Sequence, residues 1–193
     1  MNLKINDEVF NSFPVLESER LLFRAYKKSD APMIFSIRTD KRVMQYMDAI
    51  IPTEVKDSEK RIEDIQKYFV NKEGITWVIV EKKSNEMIGD IGIWKFDRKN
   101  NRGEIGYLLR PEYWRKGYMK ESLNTLIRFG FNELKLHSIE ANVNTENENS
   151  KRLLLSVGFK LEAHFRENYF FEGKYLDSLI YSLLQSDLKK NCD

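Results

Sequence analysis

Hydrophobic and polar positions change rhythm several times along the chain, and each change marks an element. Arg20-Leu-Leu-Phe-Arg-Ala-Tyr26 is rich in strand-forming residues and reads as a first strand. Ser29 or Asp30 then offers a side-chain oxygen to cap a helix running to about Arg38. Over residues 57–70, Ile62, Ile65 and Phe69 recur three and four apart, the spacing that keeps one helix face apolar, and Gly74 is expected to stop that helix. The pattern next turns to strands. Residues 75–80 are β-rich, and Ser84-Asn85 turns the chain into a strand over 87–95, where Gly89 and Gly92 predict a bulge or a close backbone approach. Asn100-Asn101 is another turn, followed by a strand over 104–109 that Pro111 ends. Over 117–134 the apolar residues Met119, Leu123, Leu126, Ile127, Phe131 and Leu134 describe an amphipathic helix of four turns or more. A strand over 138–144, a short helix over 149–157 ended by Gly158, and two strands over 159–171 and 175–184 around Glu172-Gly173-Lys174 complete the chain. Residues 1–16 are a mixed leader expected to wrap the body.

This order, βααβββαβαββ, joins most neighbouring strands by hairpins and only two pairs through helices. It predicts an α/β (α+β) domain: one mixed, mostly antiparallel sheet of about seven strands with helices on both faces, not a doubly wound parallel sheet. At 193 residues, with no linker, repeat or low-complexity tract, a single domain is expected. Hydrophobic residues make up 41%, and no run approaches the ~20 apolar residues of a membrane span. The first residues lack an apolar signal-peptide core, so a cytoplasmic protein without a membrane partner is expected.

Composition then narrows the chemistry. The one cysteine, Cys192, permits no internal disulfide and no cysteine-based zinc site, and two histidines, His137 and His164, are too few for a His-rich metal centre. No metal is therefore expected. Neither a Gly-x-Ser-x-Gly elbow, a Walker loop nor a Gly-x-Gly-x-x-Gly fingerprint occurs. A balance of 32 basic against 30 acidic residues argues against a nucleic-acid partner. What remains is chemistry by backbone groups, hydroxyls, amides and carboxylates.

Trp114-Arg-Lys-Gly-Tyr-Met119 joins a strand to the amphipathic helix, and Arg110, Arg115, Lys116 and Lys120 surround the junction. A helix start leaves amides unpaired and carries about half a positive charge, and a glycine there lets a pyrophosphate come close. A basic loop with a helix-start glycine is the plainer reading of the same residues. The wider segment, Glu104-Ile-Gly-Tyr-Leu-Leu-Arg-Pro-Glu-Tyr-Trp-Arg-Lys-Gly-Tyr-Met-Lys-Glu-Ser, resembles the acetyl-CoA motif of the GNAT N-acetyltransferases, closest to the branch that acetylates ribosomal-protein N-termini. Downstream, Asn147-Glu-Asn-Ser150-Lys-Arg-Leu153 and then Gly158-Phe159 resemble that family's second motif, and the 177–181 segment also resembles this branch. The likeness spans about residues 18–184.

The resemblance implies a GNAT fold and an acetyl-CoA-dependent acyltransferase. It implies that amides of Arg115, Lys116, Gly117, Tyr118, Met119 and Lys120 cradle the coenzyme pyrophosphate. The strand edge at Tyr107, Leu108 and Leu109 would bind the pantetheine arm, Asn147 would contact that arm, and Ser150 would lie near the thioester. A turn or helix-cap role is the alternative for Asn147 and Ser150. Two positions depart from the branch, which usually has Gly and Ala where Arg115 and Met119 stand. Many members also carry a tyrosine general acid where this chain has Leu154, leaving Ser150, a water or Tyr181 as candidates.

An amine must be neutral to attack a thioester, and an α-amine with a pKa near ~8 is roughly a tenth neutral at pH 7. A base helps. Glu104 stands where histone-acetylating relatives place a glutamate base, with a solvated strand-end carboxylate as the alternative; Glu167 is a second candidate. Glu121 is expected on a solvent face, and both histidines in structural or solvated roles. Tyr46, Trp77, Trp94, Phe96, Phe165, Tyr169, Phe170 and Phe171 are candidates for an acceptor cleft or for core. The function expected is acetyl transfer from acetyl-CoA to a primary amine, on a protein N-terminus or a small molecule, by direct transfer in a ternary complex. A catalytically silent CoA-binding sensor or interaction domain is the alternative, given Leu154 and Met119. Many relatives are dimers, which implies a homodimer.

Overall fold

A computed structural model describes residues 4–189; Cys192 lies outside them. Eight strands form one sheet: β1 (Leu16–Glu17), β2 (Leu21–Arg24), β3 (Gly74–Glu81), β4 (Glu86–Asp97), β5 (Arg102–Leu109), β6 (Ser138–Asn144), β7 (Lys160–Phe171) and β8 (Lys174–Leu184). Their spatial order is β1-β2-β3-β4-β5-β6-β8-β7. All pairs are antiparallel except β5 with β6. The eighth strand, β1, begins at the end of the leader, and residues 4–15 pack onto the body: the Asn6 amide donates to the Leu134 carbonyl and Phe13 meets Trp77 edge to face.

The six helices are α1 (Ala31–Thr39), α2 (Lys41–Met44), α3 (Val55–Val70), α4 (Tyr118–Asn132), α5 (Glu148–Ser156) and α6 (Gln185–Lys189). α4 lays Leu123, Leu126 and Phe131 on one sheet face, in a core with Trp77, Ile91, Ile93 and Ile139. The other face is covered through Ile34, Ile37 and Ile62 of α1 and α3, packed on Val78, Val80 and Leu108. No helix among the described residues is long and apolar enough to cross a membrane.

Two local expectations differ from the fold. Asp30 precedes α1 but does not cap it with its side chain; the carboxylate instead accepts both terminal nitrogens of Arg24 and the Lys27 amide, because a paired guanidinium outbids a single helix amide. Gly74 does not end α3. Asn71 closes the helix, Lys72 takes the left-handed conformation, and Gly74 opens β3 against Trp94.

The feature that shapes the site is a fork in the sheet. β5 and β6 pair only at Arg102–Ser138, Gly103–Ile139 and Glu104–Glu140. Beyond that point β5 stays with β4 and β6 stays with β8, so among the described residues β5 has no strand partner on its β6 side from Ile105 onward.

Candidate active site

The loop after β5 opens the fork's upper end. A short 3-10 turn (Pro111–Tyr113) follows Arg110, and the Trp114 indole donates to the Leu109 carbonyl at 2.7 Å, fastening the loop to the strand. Arg115 (φ 58°) and Gly117 (φ 80°) both take left-handed backbone, the conformation found in anion-binding turns of successive amides. The first amide of this stretch with a protein acceptor, among the described residues, is that of Glu121, which donates to the Gly117 carbonyl at 3.0 Å. The amides of 115–120 therefore stand at the positive end of α4 without protein partners, an anion cradle in geometry and charge.

These elements border a cleft of about 650 Å3. Its walls are Tyr107–Leu109 of β5, the loop with Arg115, Gly117, Tyr118, Met119 and Lys120, the α5 start with Asn147, Ser150 and Leu153, and Val43, Tyr46 and Met47 around α2. Lys116 is absent from this lining: its carbonyl is held from behind by Arg20, and its ammonium lies over the Tyr113 ring. Arg115 and Met119, the two departures from the branch pattern, both border the cleft, and Met119 is otherwise buried in the core.

Asn147 caps α5, its side-chain oxygen accepting the Ser150 amide at 3.1 Å. The Ser150 hydroxyl shares a 2.7 Å hydrogen bond with that of Tyr107. Burial pushes the Tyr107 phenol up to about 12, the serine bond pulling the other way, so it is neutral at ordinary pH. The tyrosine–serine pair was not legible in sequence, where Tyr107 had only a backbone role; the signal is structural, a strand residue facing the first turn of a helix. Leu154 is fully buried and Leu153, its neighbour, is the one at the cleft.

Glu104 occupies the last paired position before the fork, beside Glu140. It lies on the opposite face of β5 from Tyr107 by strand alternation and outside the cleft lining, with both carboxylate oxygens on the Lys95 ammonium at 2.9 and 3.0 Å. On this same face Trp94 lies flat across β5: a Cβ at Gly106 would stand 2.4 Å from its ring.

A second group of residues holds the segment next to Tyr46 and Met47, which line the cleft. Tyr169 of β7 donates to Asp48, in the segment between α2 and α3, at 2.5 Å. Burial, then the bond to Asp48, raises the Tyr169 phenol well above its ordinary range. The β7 register shifts between Phe165 and Tyr169, with Glu167 in left-handed backbone, and Asp177 pins this bulge by accepting the Glu167 amide at 2.9 Å and bonding His164 at 2.6 Å. Asp48 carries no sequence signal; only the partner tyrosine was a candidate.

One expectation needs correction. Glu121 does not lie on a solvent face: its side chain is 17% exposed and bound by Arg20 and Ser18, because the turn between β1 and β2 lays two donors over the α4 start. Trp77 and Phe96 pack in the core, the alternative given for them, and His164 has a structural role as the partner of Asp177.

A family model described as acetyltransferase (GNAT) domain matches residues 20–160. The chain is 34% identical over 173 residues to YoaA, an uncharacterized N-acetyltransferase of Bacillus subtilis (strain 168), covering 90% of this chain and 98% of the relative. It is 24% identical over 169 residues to a spermidine N(1)-acetyltransferase of Vibrio cholerae, covering 88% and 95%. A crystal structure of a GNAT-family acetyltransferase from Bacillus anthracis superposes with a TM-score of 0.80 at 25% identity, covering 90% of this chain and 99% of that one. With the forked sheet, the amide cradle and these likenesses together, the chain belongs to the GNAT acetyltransferase family.

Proposed function

We propose that this protein transfers the acetyl group of acetyl-CoA directly to a primary amine within a ternary complex. The observation that carries the reading is the fork: an unpaired β5 edge leading to a helix start whose amides lack protein partners. Acetyl-CoA, as co-substrate, supplies an activated acetyl thioester. The 115–120 amides, with Arg115 and Lys120, suit its pyrophosphate, and the edge at Tyr107, Leu108 and Leu109 suits its amide-rich arm as an added strand would. Asn147 caps α5 and so fixes Ser150 beside that arm.

Glu104, at the fork, accepts the proton that the amine gives up as its nitrogen bonds the acetyl carbon, directly or through water. The carbon–sulfur bond breaks in the same reaction. With the Tyr107 hydroxyl as the donor in its hydrogen bond to the Ser150 oxygen, the serine O–H is left to hydrogen-bond the sulfur as negative charge grows there. The thiolate sulfur then takes its proton from solvent. Leu154 has no part in this, since it is buried in the core.

The acceptor is an amine on a protein N-terminus or a small molecule. Relatives named as spermidine and ribosomal-protein acetyltransferases support an amine as the acceptor class. The test is thiol release from acetyl-CoA with N-terminal peptides, polyamines, aminoglycosides and amino acids. Amine-dependent release supports the reading; CoA binding without turnover on the whole panel points to a silent sensor; no CoA binding rejects both.

A further inference from the structure

Arg20 stands at the start of β2, outside the cleft lining, yet four contacts tie it to the back of the coenzyme loop. Its Nη1 donates to the Lys116 carbonyl at 3.0 Å, and its guanidinium carbon lies 4.3 Å from the centre of the Tyr118 ring. Its Nε donates to Glu121 Oε2 at 2.7 Å and its backbone amide to Glu121 Oε1 at 2.8 Å. Nη2 comes within 3.4 Å of the place a Cβ would occupy on Gly117.

Glu121 makes this arrangement consequential. It lies in the first turn of α4, where a carboxylate suits the helix dipole but competes with any other anion for the same positive field. Burial pushes its carboxyl up, yet the Arg20 amide, the Ser18 hydroxyl and the Arg20 guanidinium together hold it below the ordinary range, so it is charged at neutral pH. An ionised carboxylate one turn behind a phosphate cradle repels the phosphates unless a cation is fixed beside it.

We infer that Arg20 is a positioning residue for the coenzyme, neutralising Glu121 and holding the Lys116 carbonyl back so that the neighbouring amides face the pyrophosphate. This rests on the acetyl-CoA reading above. It gives Arg20 two separable effects, one on charge and one on loop shape, and only the first can be cancelled by removing Glu121's charge.

The test is a two-residue cycle on the full chain, with CoA affinity read by calorimetry and folding by thermal melting. Arg20→Gln is expected to weaken CoA about tenfold, equivalent to about 1.4 kcal/mol. Adding Glu121→Gln, whose amide oxygen still accepts from Ser18 and the Arg20 backbone, is expected to restore affinity to within about threefold of wild type. Glu121→Gln alone is expected to bind CoA about twofold tighter, because the Arg20 charge behind the loop then acts without a counter-charge. An unchanged affinity in Arg20→Gln, or a double variant no better than the single one, overturns the inference and leaves Arg20 a structural contact. If Arg20→Gln does not fold, the Glu121→Gln arm decides alone: weaker binding there overturns it. Failure of wild type to bind CoA instead rejects the acetyl-CoA reading itself.

Discussion

The half of the cleft that we assign to the coenzyme comes from residues 107–120 and 147–153 and rests largely on backbone: a bare strand edge, a left-handed loop and a helix start. The acceptor half is assembled differently. Tyr46 and Met47 border it, the neighbouring Asp48 is held by Tyr169, 121 positions away, and the bulge that presents Tyr169 is pinned by a third segment through Asp177. Amides and dipoles at a helix start suit any ligand with a pyrophosphate, whatever the acceptor. Side chains held by long-range bonds can change one at a time, and to these we assign the choice of amine.

That contrast is sharpest at the fork, where the halves meet. Glu104→Gln should lower kcat about 10²-fold at pH 7 while leaving CoA affinity unchanged, the lower end of general-base contributions. The deficit should shrink as pH rises past the α-amine pKa near ~8, because more of the acceptor is then already neutral. A pH–rate comparison with wild type giving a ratio near one from pH 6 to about 9 would reduce Glu104 to the partner of Lys95.

Next in size is a change to the coenzyme half alone. Gly117→Asp puts a side chain at φ 80° and a negative charge into the cradle, and should weaken acetyl-CoA tenfold or more. Calorimetry on a folded variant with unaltered affinity would remove this loop from the site.

A smaller effect should fall on the acceptor half alone. Tyr169→Phe deletes the hydrogen bond to Asp48 and should raise the acceptor's KM about fivefold, the equivalent of one partly exposed bond of ~1 kcal/mol, with CoA affinity unaltered. Equal losses for both substrates would show that the two halves are not separable.

The smallest effect concerns the pin. Asp177 has its carboxyl lowered by the Glu167 amide first and then by His164. A depressed folded-state value means the carboxylate's contribution is complete above the unfolded pKa near ~3.9 and is lost as pH falls through the lower folded value. Asp177→Asn should therefore melt slightly below wild type at pH 7, and scanning calorimetry should find the gap closing below about pH 4. A gap that persists at pH 3 would assign it to packing.

Local signals read well in the sequence and distant ones did not. Apolar spacing located α4 and α3, and the strand over 138–144 coincides with β6, because periodicity reports which face of an element is buried. The anion cradle was legible because glycine, basic residues and a helix start are contiguous. Glu121 was misjudged as solvated since its partners, Ser18 and Arg20, lie in the turn between β1 and β2, and no helical pattern encodes what another segment lays over it. Asp48 was missed for the same reason, and β1, at two residues, is too short to carry an alternating pattern.

The central claim is that backbone amides at the fork and at the start of α4 receive the coenzyme. An amide chemical-shift titration of the isotope-labelled protein with acetyl-CoA addresses it most directly. Saturable shifts should concentrate at Tyr107, Leu108 and Leu109 and at residues 115–120, with smaller ones at Ser150. Saturable shifts that spare those amides, or none at all, would contradict the account.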